Sequence, residues 1–155
     1  MKLPEKKIFF TKEGLAKLQK DYRQLTTVAR QKIAQEIKGI REDGEVDENV
    51  EYTSLLAEKD RIEVQAEELK EILKNAKLIV PRKDTSTVDI GSTVIVEVEN
   101  ESDEFTIVGS LEADPSKGLI SNESPVGKAL LGAKIHQLVT VSSSLKTTYK
   151  IIAIR

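Results

Sequence analysis

The chain has 155 residues, 32% of them charged, yet a formal net charge of only −2, with no cysteine and one histidine. That balance excludes the uniformly basic surface of a general nucleic-acid binder, and the lack of cysteine excludes disulfide frameworks, thiol catalysis and Cys/His zinc sites. No apolar run reaches membrane-spanning length and MKLPEKKIFF lacks the apolar core of a secretory signal, so the expectation is a soluble cytoplasmic protein without a membrane partner.

Charge is distributed unevenly. Lys12 to Lys38 holds seven basic residues against three acidic, and Glu42 to Glu71 holds twelve acidic against three basic. Thr11 is a favourable N-cap with Glu13 in the first turn after it, and Phe10 before the cap is placed to staple onto Leu15. Leu15, Leu18, Tyr22, Leu25, Ala29, Ile33, Ile37 and Ile40 then recur at steps of three and four, one helical face about eight turns long. Three successive steps of four from Leu25 to Ile37 break the alternation, and supercoiling is expected to relax near Ala29–Ile37. Tyr52, Leu55, Lys59, Ile62, Ala66, Leu69, Leu73 and Ala76 form a second, regular seam with one lysine in it. Lys59 either sets register or snorkels its stem out of the hairpin edge. Two helices of roughly thirty residues, about 45 Å each, joined by a short polar turn, predict an antiparallel hairpin. The basic first helix would lie beside the acidic second.

The joint, REDGEVDENVEY, crowds six carboxylates into twelve residues: Glu42, Asp43, Glu45, Asp47, Glu48 and Glu51. A solvated polar turn is the plain reading. A calcium loop of EF-hand type fails, because glycine stands at the second place and Ser54 at the twelfth. A low-affinity magnesium site is the third reading, since Mg²⁺ takes one or two carboxylates and completes its shell with water and phosphate oxygens.

VPRKDTST, Val80 to Thr87, reads as a linker. Beyond it TVIVEVE, EFTIV, QLVTV and TYKIIAI are β-branched and mostly alternating, with a hairpin turn placed at NESD. SPVGKALLG carries Ser124 as N-cap, Pro125 at the first helical position and Gly132 as stop, a short helix. The fold class is therefore α+β: an N-terminal helical hairpin over 1–79, with its acidic tip at 41–52, and a small antiparallel sheet with one short helix over 80–155. His136 has no catalytic neighbours in sequence, and Phe105 and Tyr149 are too few aromatics for a prolyl-isomerase pocket.

GEVDENVEY resembles the tip motif of the bacterial Gre-type transcript cleavage factors, GreA and GreB, and FTIVGSLEADPSKGLISNESPVGKALLGA is similar to that family's second signature segment. The resemblance covers the whole chain. It implies an FKBP-like fold for the second domain, docked at the rim of the secondary channel of bacterial RNA polymerase. The coiled coil would enter that channel and bring its tip to the 3′ end of backtracked nascent RNA, which the polymerase itself then cleaves. The cofactor implied is Mg²⁺, shared with the polymerase and not held tightly by the free protein. DNA would be met only indirectly, through the elongation complex, and the protein would act as a monomer. Carried over by position, the metal-supporting acid falls on Glu45 and the second catalytic acid on Glu48. Asp43, Asp47, Asn49, Glu51 and Tyr52 complete the tip, Arg41 falls on an RNA-contacting position, and Glu123, Ser124 and Pro125 fall on the polymerase-binding segment. Glu45 departs from the family's aspartate. The extra methylene moves the carboxylate by about an ångström, enough to cost around a hundredfold in rate. Two alternatives follow: a channel occupant that cleaves poorly and inhibits or competes, and a coiled-coil adaptor without catalytic role.

Overall fold

The computed structural model describes residues 6–44 and 46–155. The chain forms two compact units, Ala16–Asn75 and a second made of Met1–Leu15 with Ala76–Arg155.

In the helical unit, α1 (Lys12–Gln24) runs through a π-helical turn (Leu25–Ala29) into α2 (Arg30–Asp43), and α3 (Val50–Asn75) returns beside it. The helices are antiparallel: Arg30 pairs with Glu63, and eleven residues on along α2, eleven back along α3, Arg41 meets Tyr52. Ile33, Ile37 and Ile62 are buried together, flanked by Leu25, Ala29, Tyr52, Leu55 and Leu56. Each of the other expected seam positions from Leu15 to Leu73 is at least half-shielded, except Lys59, which is exposed. Its stem therefore leaves the seam.

The break in the seam takes a different form from the one expected. The step from Ala29 to Ile33 holds one residue more than strict alternation, and the chain absorbs it in the π turn just before Ala29, where Arg30 N–H donates to Leu25 O, five residues back. Thr26 Oγ1 donates to Tyr22 O at 2.9 Å and Thr27 Oγ1 to Arg23 O at 2.6 Å, so threonine hydroxyls serve carbonyls of the turn before.

In the other unit, β1 (Ile8–Phe10) pairs in parallel with β2 (Ala76–Leu78). Ala76, expected to end the second seam, is the first residue of β2. The main sheet has the order β5-β4-β3-β7-β6, built from β3 (Thr93–Val98), β4 (Glu101–Val108), β5 (Leu119–Ser121), β6 (Leu138–Ser142) and β7 (Lys146–Ile154). Four strands are antiparallel as expected, and β5 adds a parallel edge beside β4. The β3–β4 turn is Glu99–Asn100, both at positive φ, a two-residue type I′ hairpin. Ser102 and Asp103, read as turn residues, are already paired in β4.

Val94 and Val96 alternate onto one face of β3 and are fully buried with Ile107 and Ile151 against Leu130 of α4 (Pro125–Leu130). Truncating Leu130 or Ile151 to alanine would cost about 2–5 kcal/mol. Phe105 and Tyr149 pack edge to face at 6.0 Å on this core. Among the described residues, no helix is long and apolar enough to cross a membrane.

Candidate functional site: the hairpin tip

Two signals fix the turn from both sides. α2 stops where Gly44 takes φ 74°, its N–H donating to Arg41 O at 3.2 Å. α3 starts after Asn49, whose Oδ1 accepts from Tyr52 N–H at 3.1 Å. Its carbonyl accepts from Thr53 N–H at 3.2 Å and from Thr53 Oγ1 at 3.1 Å. Asn49, known from the sequence only as a motif residue, is thus an N-cap, and an asparagine three places before the periodic Tyr52 was the available signal. Between stop and start, Glu48 lies at φ 60°. A left-handed glutamate costs about 1–2 kcal/mol, so the stop and cap hold it in a conformation it would not choose.

Arg41 ties the two helix ends together. Its Nε donates to the Tyr52 hydroxyl at 3.0 Å, and its guanidinium carbon lies 5.8 Å from the ring centroid. The terminal nitrogens of Arg41 donate to no described residue, so the role of latch leaves them available. The motif's arginine and tyrosine, eleven positions apart, meet because the chain reverses between them.

The carboxylates behave differently. Asp43, Asp47, Glu48 and Glu51 are exposed and take part in no hydrogen bond or ion pair with another described residue. Of the described tip carboxylates only Glu42 is engaged, 3.6 Å from Lys38 one turn back. Glu45 lies outside the described residues, so its place in the turn is carried by sequence alone. Among the described residues no group of three or more Asp, Glu or His side chains is placed to hold a metal ion. An all-oxygen donor set of exposed carboxylates suits a hard divalent ion, but one whose remaining ligands come from elsewhere.

Glu123, Ser124 and Pro125 stand together at the start of α4. Ser124 Oγ accepts from Gly127 N–H at 3.0 Å and donates to Ser121 O at 2.7 Å, so it is occupied as a cap. Glu123 and Pro125 are exposed, with Glu123 2.9 Å from Lys6. Gly127 permits the helix to sit there at all: a Cβ on it would lie 2.0 Å from Ser121 O. Asp114 caps the short 3₁₀ turn Pro115–Lys117, and hydrogen bonds from Ser116, then Lys117, hold its carboxyl below the usual carboxylate range. His136 is exposed at φ 67°.

The model of the family described as transcription elongation factor, GreA/GreB, C-term matches residues 83–155, and the N-terminal model of transcription elongation factors matches residues 8–78. The chain is 42% identical to transcription elongation factor GreA of Lachnoclostridium phytofermentans over 159 residues, covering 99% of this chain and 98% of that protein. It is 45% identical to transcription elongation factor GreA of Acetivibrio thermocellus over 140 residues, 88% of each. The crystal structure of GreA factor homolog 1 (Gfh1) of Thermus thermophilus aligns at a TM-score of 0.45 and 23% identity over 97% of this chain and 99% of that one. With both halves matched in order and relatives above 40% identity along nearly the full length, the chain belongs to the GreA/GreB family of transcription elongation factors.

Proposed function

We propose that this elongation factor acts by inserting its helical hairpin into the secondary channel of bacterial RNA polymerase, in the cytoplasm and as a monomer, and by stimulating the polymerase to cleave backtracked RNA near its 3′ end. One observation carries the reading: a turn fixed by a glycine stop, an asparagine cap and an arginine–tyrosine latch presents four carboxylates that take part in no hydrogen bond or ion pair with another described residue. A fold gains nothing from such like charges, and a partner site short of negative ligands would.

Glu45 and Glu48 are the residues that would hold Mg²⁺ jointly with the polymerase. Held there, such an ion lowers the pKa of a bound water and offsets charge at the scissile phosphate. Glu48 is held at φ 60°, so the backbone from which its carboxylate projects is already set by the turn. Asp43, Asp47 and Glu51 supply the surrounding negative field, and Arg41 offers its terminal nitrogens to RNA phosphate. Glu123 and Pro125, exposed at the start of α4, are the side chains for docking on the channel rim.

Incubation with a stalled, 3′-labelled backtracked complex tests this reading. Short 3′ fragments should appear with the complex and none with free RNA, and residues 80–155 alone should bind weakly without stimulating cleavage. Cleavage of naked RNA, or none with the matched polymerase at any concentration, refutes it. A Glu123→Lys, Pro125→Ala variant that folds and competes fully with the intact protein refutes the docking assignment. The second reading, a channel occupant that cleaves poorly, is favoured by Glu45 standing where the family pattern has aspartate.

A further inference from the structure

We propose that Glu112 is a positioning residue for transcript cleavage, acting through the first turn of α1. This rests on the function proposed above.

The turn after β4 brings Glu112 back toward the N-terminal segment, with Glu112 N–H donating to Gly109 O at 3.0 Å. Its carboxylate then accepts two hydrogen bonds from the N-cap of α1: Thr11 N–H at 2.6 Å and Thr11 Oγ1 at 2.5 Å. The same hydroxyl accepts from Gly14 N–H at 3.1 Å, so one carboxylate terminates a chain of donors at the positive end of a helix.

Two close approaches show that this grip is built rather than incidental. A Cβ on Gly14 would lie 1.8 Å from Glu112 Oε1, so the carboxylate occupies the space of the missing side chain. A Cβ on Gly109 would lie 1.7 Å from Phe9 O, so the start of the same turn also bears directly on the strand before the cap. Glycine within the first turn of a long helix is unfavourable by about 1 kcal/mol relative to alanine. It was the sequence signal that something needs the room.

Glu112 lies outside the buried core cluster of its unit, which is formed by Val88, Val94, Val96, Ile107, Leu130, Ala133, Val139, Ile151 and Ile154. Its loss therefore leaves that core standing. The consequence falls on α1, which runs unbroken past Leu15, the last residue of this unit's N-terminal segment, into the helical unit. A loosened first turn frays the start of the helix from which the hairpin is built. An ångström of misplacement far from the chemistry costs up to about a hundredfold in rate.

The full chain should be compared as wild type, Glu112→Ala, Glu112→Gln and Thr11→Ser, by amide hydrogen exchange and by cleavage of backtracked complex at saturating factor. Glu112→Ala should speed exchange of the Thr11 and Gly14 amides and lower the maximal cleavage rate at least about tenfold, with the half-saturating factor concentration unchanged. Thr11→Ser, which keeps the hydroxyl, should retain wild-type rate. Glu112→Gln, the same size with a weaker acceptor, should fall between and serves if the alanine variant fails to fold. Fast exchange with unchanged cleavage overturns the positioning role. Unchanged exchange overturns the latch itself. If wild type does not stimulate cleavage, the function reading fails, and exchange alone then decides the latch.

Discussion

The hairpin tip and the segment from Gly109 to Gly132 both carry family signature residues, yet those residues do opposite work. In the second segment several signature residues are used up by folding, while Glu123 and Pro125 stay exposed. Glu112 holds Thr11, Asp114 and Ser124 cap helical turns, and Gly127 admits the Ser121 carbonyl. At the tip, Gly44, Asn49, Arg41 and Tyr52 shape the turn, and four carboxylates are left with no partner among the described residues. A signature residue that satisfies nothing inside its own protein is the better pointer to a partner.

If this contrast is right, substitutions in the two regions separate activity from stability. The largest effect is expected at the tip: Glu48→Ala should abolish cleavage stimulation while polymerase affinity and melting temperature stay near wild type, since exposed substitutions usually stay within about 0.5 kcal/mol. Glu48→Gly sharpens the point, because it relieves the left-handed backbone at φ 60°. It should raise stability by roughly 1 kcal/mol in denaturant titration and still be inactive. A Glu48→Ala protein that cleaves normally would erase the distinction between the regions.

Gly127→Ala should do the reverse. Its Cβ cannot be placed 2.0 Å from a backbone carbonyl, so the unit must shift, at a cost of about 3 kcal/mol, with activity falling only as far as folded protein does. Next in size are the caps. Asn49→Ala and Ser124→Ala should each cost about 1 kcal/mol by chemical denaturation, but only Asn49→Ala should also slow cleavage, because it frees the turn that carries Glu48.

The smallest effect is the exposed Arg30–Glu63 pair, with N···O at 2.6 Å. The hydrogen bond from Arg30 lowers the Glu63 carboxyl below its ordinary value. A depressed carboxyl stabilises the fold above its unfolded pKa, and this is lost as pH falls through the lower folded value. Arg30→Gln should move the Glu63 midpoint back up in an NMR titration and leave cleavage unchanged.

Much of this was legible in the sequence. The two seams, the Ser124–Pro125 start and the Gly132 end are local patterns, and local patterns survive folding. Strands β1, β2 and β5 were missed because three residues are too few for a period, and they exist only through pairing. The π turn at Leu25–Ala29 was not read from the sequence, where a break in the seam near Ala29–Ile37 was expected only to relax the supercoil: spacing shows an extra residue but not which turn absorbs it. The grip of Glu112 on Thr11 spans 101 residues, and no local pattern reports such a pair.

The Mg²⁺ dependence of cleavage tests the central claim most directly, that the free tip carboxylates complete the polymerase's site. It should be measured on one backtracked complex with wild type, Glu45→Asp and Glu48→Gln at saturating factor. The account predicts that Glu45→Asp equals or exceeds wild type and reaches half-maximal rate at lower Mg²⁺, while Glu48→Gln stays inactive at every Mg²⁺ concentration. Identical Mg²⁺ curves for all three proteins, with binding intact, would contradict it and leave a channel occupant whose acidic tip does no chemistry.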